Sequence, residues 1–452
     1  MLHFTEALLP GGWARDVRIA FEGGLIAALE TGTAPHPSDD RHAVGLPGVP
    51  NLHSHAFQRA MAGLAERRSA GPETFWSWRD VMYRFVAALT PEDVAAIAAL
   101  AYMEMLEGGF TRVGEFHYLH HDPAGHRYAD RAELAARIAA AADRTGIGLT
   151  LLPVFYAHGD FNAAPPSAAQ RRFLHDIDGF AALLDAAQTA IAPLPDAVLG
   201  LAPHSLRAVT EDELAACVAL AAGRPVHIHA AEQRREVDAC VAATGARPID
   251  YLLDRGMGAG WCVVHATHMT PGETSRLAAS GAVAGLCPVT EANLGDGIFD
   301  GVSYRGQGGP CEGGRYGVGT DSNILIGAAD ELRMLEYSQR LALQGRTMMA
   351  PAGQSTGRAL FEAALDGGAA ALGVGGGLRV GASGDIVSLD AGHPSLAGRS
   401  GDGWLDGWVF AADRAVDMVW RRGRAVVRGG RHVGRAAIVA EYARRIGRLM
   451  RG

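Results

Sequence analysis

The sequence predicts an α/β protein, a (β/α)8 TIM barrel with a small β-sandwich domain built from both chain ends. Three observations predict it. Short apolar runs alternate with helix-like segments across residues 47–372, and eight such runs can be counted. Both ends, 1–46 and 373–452, carry short strand-like stretches separated by glycine turns. Residues of metal-ligand type crowd the ends of four of the eight runs, where a barrel keeps its chemistry. A doubly wound sheet is the runner-up.

The elements follow in order. In 1–46, Val17, Ile19 and Phe21 alternate, and Gly23-Gly24 turns the chain into Leu25-Ile26-Ala27. The eight runs of the middle region are 45–52, 111–114, 149–155, 197–202, 225–228, 261–264, 282–286 and 316–319. Helix starts between them are marked by capping chemistry. Thr90-Pro91-Glu92-Asp93 offers an N-cap, a proline at the first helical position and an acid at the third. Thr210-Glu211-Asp212-Glu213 and Thr270-Pro271-Gly272-Glu273 repeat that logic. In 373–452 the strand candidates are 385–389, 416–420 and 425–427, with Arg422-Gly423 as a turn. Chain termini often lie close together, so the two ends can build one small domain.

Composition narrows the function. The chain has 452 residues, 48% of them hydrophobic and 20% charged, enough for a sizeable core. It contains no lysine, so all 41 basic residues are arginine. That excludes a Schiff-base lysine, a Walker lysine and a carboxylated lysine bridging two metals. The net charge of −8 argues against nucleic acid or an anionic membrane as a partner. The first residues show no basic segment leading into an apolar run, and the five cysteines (217, 240, 262, 287 and 311) show no CxxC spacing. Both observations fit a cytoplasmic protein with scattered thiols.

The strand ends carry the chemistry. After the first run comes Asn51-Leu52-His53-Ser54-His55. Two residues apart on extended chain puts both imidazoles on one face. After the fifth comes His227-Ile228-His229-Ala230-Ala231-Glu232, after the sixth His265-Ala266-Thr267-His268, and after the eighth Gly319-Thr320-Asp321. A lone histidine at a strand end is more often a satisfied polar residue than a ligand. Four strand ends presenting His, His, His and Asp toward one axis suit a metal with N/O ligands. The histidines at 117, 120, 121 and 126 have irregular spacing, which predicts surface or hydrogen-bonded residues rather than a second metal site.

At these residues the chain resembles the amidohydrolase superfamily, in its branch of mononuclear-metal deaminases. Pro47-Gly48-Val49-Pro50-Asn51-Leu52-His53-Ser54-His55-Ala56-Phe57-Gln58-Arg59, Thr74-Phe75-Trp76-Ser77-Trp78-Arg79 and Gly114-Glu115-Phe116-His117-Tyr118 are similar to the deiminase family that acts on N-formimidoyl-L-glutamate in histidine degradation. So are Ala202-Pro203-His204-Ser205-Leu206-Arg207 and Val264-His265-Ala266-Thr267-His268. The resemblance implies one divalent metal ion, with zinc expected, held by His53, His55, His229 and Asp321. It implies proton handling by Glu232 and polarisation by His265, whereas His227, on the strand face of His229 but one step deeper, reads as structural. Metal-activated water would add to a formimino carbon, releasing ammonia and leaving a formamide. A small dicarboxylate substrate calls for cationic forks. Arg79 and Arg207 are the candidates, with Gln58, Tyr118 and His204 as further substrate-binding residues. Trp76 and Trp78 form a lid over the substrate or anchor a loop. A homodimer is implied by the resemblance alone.

Overall fold

A computed structural model describes residues 1–68, 74–306 and 313–450. The N-terminal part supplies β1 (Leu2–Leu9), β2 (Gly12–Glu22), β3 (Leu25–Glu30) and β4 (Asp40–Pro47). The middle region supplies β5 (Val49–Ser54), β6 (Phe110–His117), β7 (Gly148–Phe155), β8 (Val198–Leu199), β9 (Ala202–Pro203), β10 (Val226–Ala230), β11 (Trp261–His265), β12 (Val283–Leu286) and β13 (Arg315–Val318). The C-terminal part adds β14 (Ile386–Leu389), β15 (Val416–Arg421), β16 (Arg424–Arg428) and β17 (Arg431–His432).

The two chain ends meet in one sheet, in the order β17-β16-β15-β14-β4-β1-β2-β3. The sequence predicts a sandwich here, and the described strands follow one continuous path whose two halves bury a common core. Phe4 on β1, Val17 and Ile19 on β2, Ile386 on β14 and Trp420 on β15 share that core. The rings of Phe4 and Trp420 meet edge to face at 5.9 Å.

The middle strands are parallel. They run β5-β6-β7-β8, with β9 also paired to β7, and then β10-β11-β12-β13. Single parallel bridges link the two groups at Ser54–Asp321, Leu201–Val226 and Ser205–His229. Helices between them begin as the sequence predicts. Thr90, Thr210 and Thr270 each accept from the backbone N–H three residues on, and the acid there returns a bond to the cap.

Two predicted runs are broken. Residues 197–202 form β8 and β9 with a gap between. Residues 45–52 divide at Gly48, with Leu46 and Pro47 pairing to β14 and β5 pairing to β6. A Cβ at Gly48 would lie 2.2 Å from the Thr111 side chain, so only glycine fits there. Periodicity did not mark β1, β17 or the helices Asp402–Phe410 and Arg435–Leu449. Among the described residues no helix is long and apolar enough to cross a membrane. Cys217, Cys240, Cys262 and Cys287 are free and buried, and Cys311 lies outside the described residues.

Candidate active site

Extended chain at the end of β5 carries His53 inward, and His55 follows as the residue before a 3-10 helix, Ala56–Met61. The neighbouring strand approaches closely here. A Cβ at Gly319 would lie 2.7 Å from the backbone of His53. His55 N–H donates to the Asp321 carbonyl at 2.9 Å, and Asp321 N–H donates to the His53 carbonyl at 3.0 Å. Side chains lock the same seam. Asn51 donates to Thr320 Oγ1 at 2.7 Å, and Thr320 donates to Asn323 Oδ1 at 2.6 Å. Asn323 Nδ2 reaches the carbonyls of His55 and Asp321 at 3.1 and 3.0 Å.

His53, His55, His229 and Asp321 bring one ligand atom each to within 4.8 Å of one another, and all four residues are buried. His53 Nε2 stands 3.2 Å from His55 Nε2 and 3.1 Å from His229 Nε2. Asp321 Oδ1 lies 3.1 Å from His55 Nε2 and 3.4 Å from His53 Nε2. The outer nitrogens explain the orientation. His55 Nδ1 pairs with the Phe116 carbonyl and His229 Nδ1 with the His204 carbonyl, both at 3.0 Å. A carbonyl only accepts, so each Nδ1 carries the proton and each Nε2 turns a lone pair inward. Burial holds His53 down at about 3, and burial first and then its histidine neighbours hold His229 well below the usual range. Burial alone would raise Asp321, but the neighbouring His53 and His55 imidazoles outweigh it and hold the carboxyl well below the usual carboxylate range. Convergent neutral lone pairs beside an ionised carboxylate form a cation site.

Glu232 and His265 stand beside this quartet. Glu232 Oε1 is 3.8 Å from His265 Nε2, and its Oε2 is 3.7 Å from an Arg207 nitrogen. Burial raises Glu232, while His265 and Arg207 pull the other way. For His265 burial acts downward, but Glu232, a hydrogen bond to Glu291 and Asp321 overcome it and push the imidazole up to about 10. Glu291 Oε1 lies 3.2 Å from His265 Nδ1. Glu236 accepts from the backbone N–H groups of Ala231 and Glu232 at 3.2 and 3.0 Å, which fixes the turn bearing Glu232. Non-glycine residues at these strand ends take positive φ: Ala231 at 54°, His265 at 71°, Ala266 at 49°, Asp321 at 43° and Asn323 at 57°. Such strain, about 1–3 kcal/mol per residue, gathers where side chains must be aimed.

The five expected substrate-binding residues line one pocket with this group, among them His55, Glu232, His265 and Asp321. Gln58 Nε2 donates to Tyr118 Oη at 2.8 Å, which leaves its buried Oε1 without a partner among the described residues. His204 is held far below its usual pKa by burial first and then by Arg207, so it is neutral. Arg79 and Arg207 each keep a buried Nε without a partner among the described residues. Trp78 lines the pocket as well.

Of the histidines expected to be surface or hydrogen-bonded, His126 is exposed, and His120 and His121 are buried but hydrogen-bonded, whereas His117 is buried with its Nε2 unpartnered among the described residues. His120 and His121 pair with the carbonyls of Val154 and Leu174 at 3.0 and 2.8 Å. His227 is fully buried on the Ala371 carbonyl at 2.8 Å, and His268 contacts the Asp296 carbonyl at 2.8 Å. Sequence reasoning missed Tyr83 and Tyr156, which also line the pocket, and the orienting carboxylates Glu236 and Glu291. Tyr156 had a legible signal, since it follows β7 directly as Tyr118 follows β6.

These strands and this site define a class. The family profile described as "Amidohydrolase family" matches residues 44–426, and the chain belongs to that family. A second profile, "Formimidoylglutamate deiminase HutF, N-terminal domain", matches residues 1–43. The formimidoylglutamate deiminase of Pseudomonas aeruginosa is 48% identical over 99% of both chains, which bears out the likeness to that deiminase family. A 5-methylthioadenosine/S-adenosylhomocysteine deaminase of Halobacterium salinarum is 28% identical over 83% of this chain and 79% of its own. Among solved structures, an amidohydrolase from Brucella melitensis has a TM-score of 0.95 at 51% identity, covering 99% of each chain. An adenosine deaminase from Xanthomonas campestris with bound zinc has a TM-score of 0.80 at 22% identity, covering 100% of this chain and 98% of its own.

Proposed function

We propose that this chain hydrolyses N-formimidoyl-L-glutamate to N-formyl-L-glutamate and ammonia, a step of histidine degradation, using one divalent metal ion, zinc. One observation carries the substrate reading. The pocket that joins the His/Asp quartet to Glu232 and His265 is walled by two arginines, and neither has a described carboxylate within hydrogen-bond distance. A dicarboxylate substrate supplies what those forks lack. The name of the 48% identical relative points the same way. A neutral ring, as a cyclic-amidine substrate would offer, leaves both forks unpaired.

The donor set fits the metal. Nε2 atoms of His55 and His229, with Nδ1–H committed to carbonyls, have no proton to share and require a cation between them. Bound there by His53, His55, His229 and Asp321, the ion supplies Lewis acidity and lowers the pKa of water toward neutrality. The chain's own residues do the rest. Glu232 takes a proton as water adds to the formimino carbon and gives it to the imino nitrogen, then passes the hydroxyl proton to that nitrogen as the C–N bond breaks and ammonia departs. His265, held by Glu291, donates toward the oxygen at that carbon. Asp321 remains ionised throughout. Arg79, Arg207 and Gln58 hold the carboxylates, with Tyr118 and His204 as further donors.

The same reading covers the architecture. The two parallel groups joined by single bridges are one closed (β/α)8 barrel over 47–372, and the curled terminal sheet of 1–46 and 373–452 is a small sandwich-like domain. The enzyme works in the cytoplasm as a homodimer, on a small molecule, without nucleic acid or membrane.

The test is a coupled ammonia assay on metal-replete protein with N-formimidoyl-L-glutamate, together with metal analysis. One ion per chain and stoichiometric N-formylglutamate are expected. Metal-replete protein that leaves this substrate untouched and hydrolyses another amidine refutes the substrate, and protein active at near-zero metal content refutes the mechanism.

A further inference from the structure

Trp76 is the second residue of the helix Phe75–Val86 and is half-buried. Three guanidinium groups gather on its ring. The Cζ atoms of Arg79 and Arg235 are each 4.4 Å from the indole centroid, and that of Arg207 is 5.7 Å away. Arg79 and Arg207 belong to the pocket, whereas Trp76 does not line it. Arg235 is exposed and sits on the loop-to-helix turn after β10, three residues beyond Glu232. The indole therefore connects the loop after the first barrel strand to the loop after the fifth.

A buried arginine is ordinarily fixed by a carboxylate. A protein carboxylate on these forks would compete with the substrate's own. An aromatic face attracts the cation without occupying its N–H donors in the fork plane. It also holds two long side chains that would otherwise lose rotamer freedom only on binding. Among the described residues, the nearest carboxylate oxygen to Arg207 is Glu232 Oε2 at 3.7 Å, beyond hydrogen-bond reach. Arg79 has no ion pair among the described residues.

The geometry points to Trp76 as a positioning residue for substrate recognition: its indole presets Arg79 and Arg207 by cation–π attraction, with Arg235 bracing the ring from the far loop, so that both forks stay free for a dianion. This rests on the reading of Arg79 and Arg207 as carboxylate binders.

Preset forks act on substrate and transition state alike, so their loss raises KM and spares kcat. In metal-loaded W76L, KM for N-formimidoyl-L-glutamate should rise tenfold or more with kcat within threefold of wild type. W76F keeps a weaker aromatic face and should recover part of that rise. R235Q should show a two- to fivefold rise. Inhibition by glutarate, a plain dianion, should weaken in W76L in step with KM, while inhibition by butyrate, with one carboxylate, should move less. Wild-type KM and glutarate inhibition in W76L overturn the inference, as does a W76L enzyme that loses kcat at constant KM. If W76L fails to load metal or melts early, W76F and R235Q decide by the same readouts. Wild-type protein inert toward N-formimidoyl-L-glutamate condemns the functional reading instead, and glutarate binding by calorimetry then still decides the role of Trp76.

Discussion

Replacing Glu232 with glutamine tests the chemistry with the least disturbance of shape. The residue is 5% exposed, and its backbone is held by Glu236 rather than by its own side chain, so E232Q should keep the turn. What it loses is a basic oxygen 3.8 Å from His265 and 3.7 Å from Arg207. A positioned acid–base group is worth about 10²–10⁴ in rate. Here one carboxylate serves both water addition and ammonia departure, so kcat should fall about 10³–10⁴-fold, or about 4–5.5 kcal/mol at about 1.36 kcal/mol per decade. KM should move little, because the carboxylate forks are untouched. A second signature accompanies the loss. Glu232 is the largest influence holding His265 up against burial, so His265 should titrate at lower pH in E232Q. The assay is coupled ammonia release under saturation across pH, with metal stoichiometry measured on the same preparation. A kcat within tenfold of wild type, at full metal content, refutes the assigned role.

Three further outcomes follow from the same geometry. Arg207→Met removes charge-assisted bonds worth about 1.5–3 kcal/mol each, so kcat/KM for the dianionic substrate should drop roughly 10²-fold, and an unchanged value counts against a carboxylate ligand there. Asn323→Ala unpicks the seam between the end of β5 and the segment after β13, where the fully buried amide spans Thr320, His55 and Asp321. Leaving such groups unpaired costs about 1–3 kcal/mol apiece, so the melting temperature and metal affinity should both fall, and an unmoved melting curve refutes the seam. Glu115 is buried behind His55 with its Oε1 on Ala56 N–H at 2.8 Å, and burial pushes it up to about 7 from an ordinary 4.5. Between those values the folded metal-free protein keeps a proton that the unfolded chain releases, so stability falls as pH rises through that window. Urea midpoints of metal-free wild type and E115Q at pH 5 and pH 8 should differ by that extra loss in wild type, and parallel changes refute it.

The site was more legible than the joints between elements. His53, His55, His229 and Asp321 were readable because strand ends face one axis, and ligand residue types recur there. The orienting groups were not. Glu236, Glu291 and Asn323 sit on helices and turns whose approach to the strand ends depends on tertiary packing, and a buried carboxylate looks in sequence like a solvated one. The run 45–52 misled for a related reason. Its apolar character is continuous across Gly48, but the two halves are buried against different sheets. Periodicity reports that a residue is buried, and not what buries it. The helix Asp402–Phe410 escaped because Gly403 and Gly407 weaken its pattern, and Gly407 instead makes room for Leu396 and Arg399.

The division at Gly48 also bears on how the chain is made. β4 is clasped between β1 and β14, so its second edge stays unpaired until Ile386 has been synthesised. At about 5–20 residues per second, the roughly 340 intervening residues keep that edge open for some tens of seconds. Through that interval the nascent chain exposes a hydrogen-bonding edge, which is the feature that invites aggregation. The strand itself begins with Asp40, Arg41 and His42, and charge of this kind on an open edge discourages wrong partners. Slowed or truncated synthesis should therefore harm solubility before it harms the metal site.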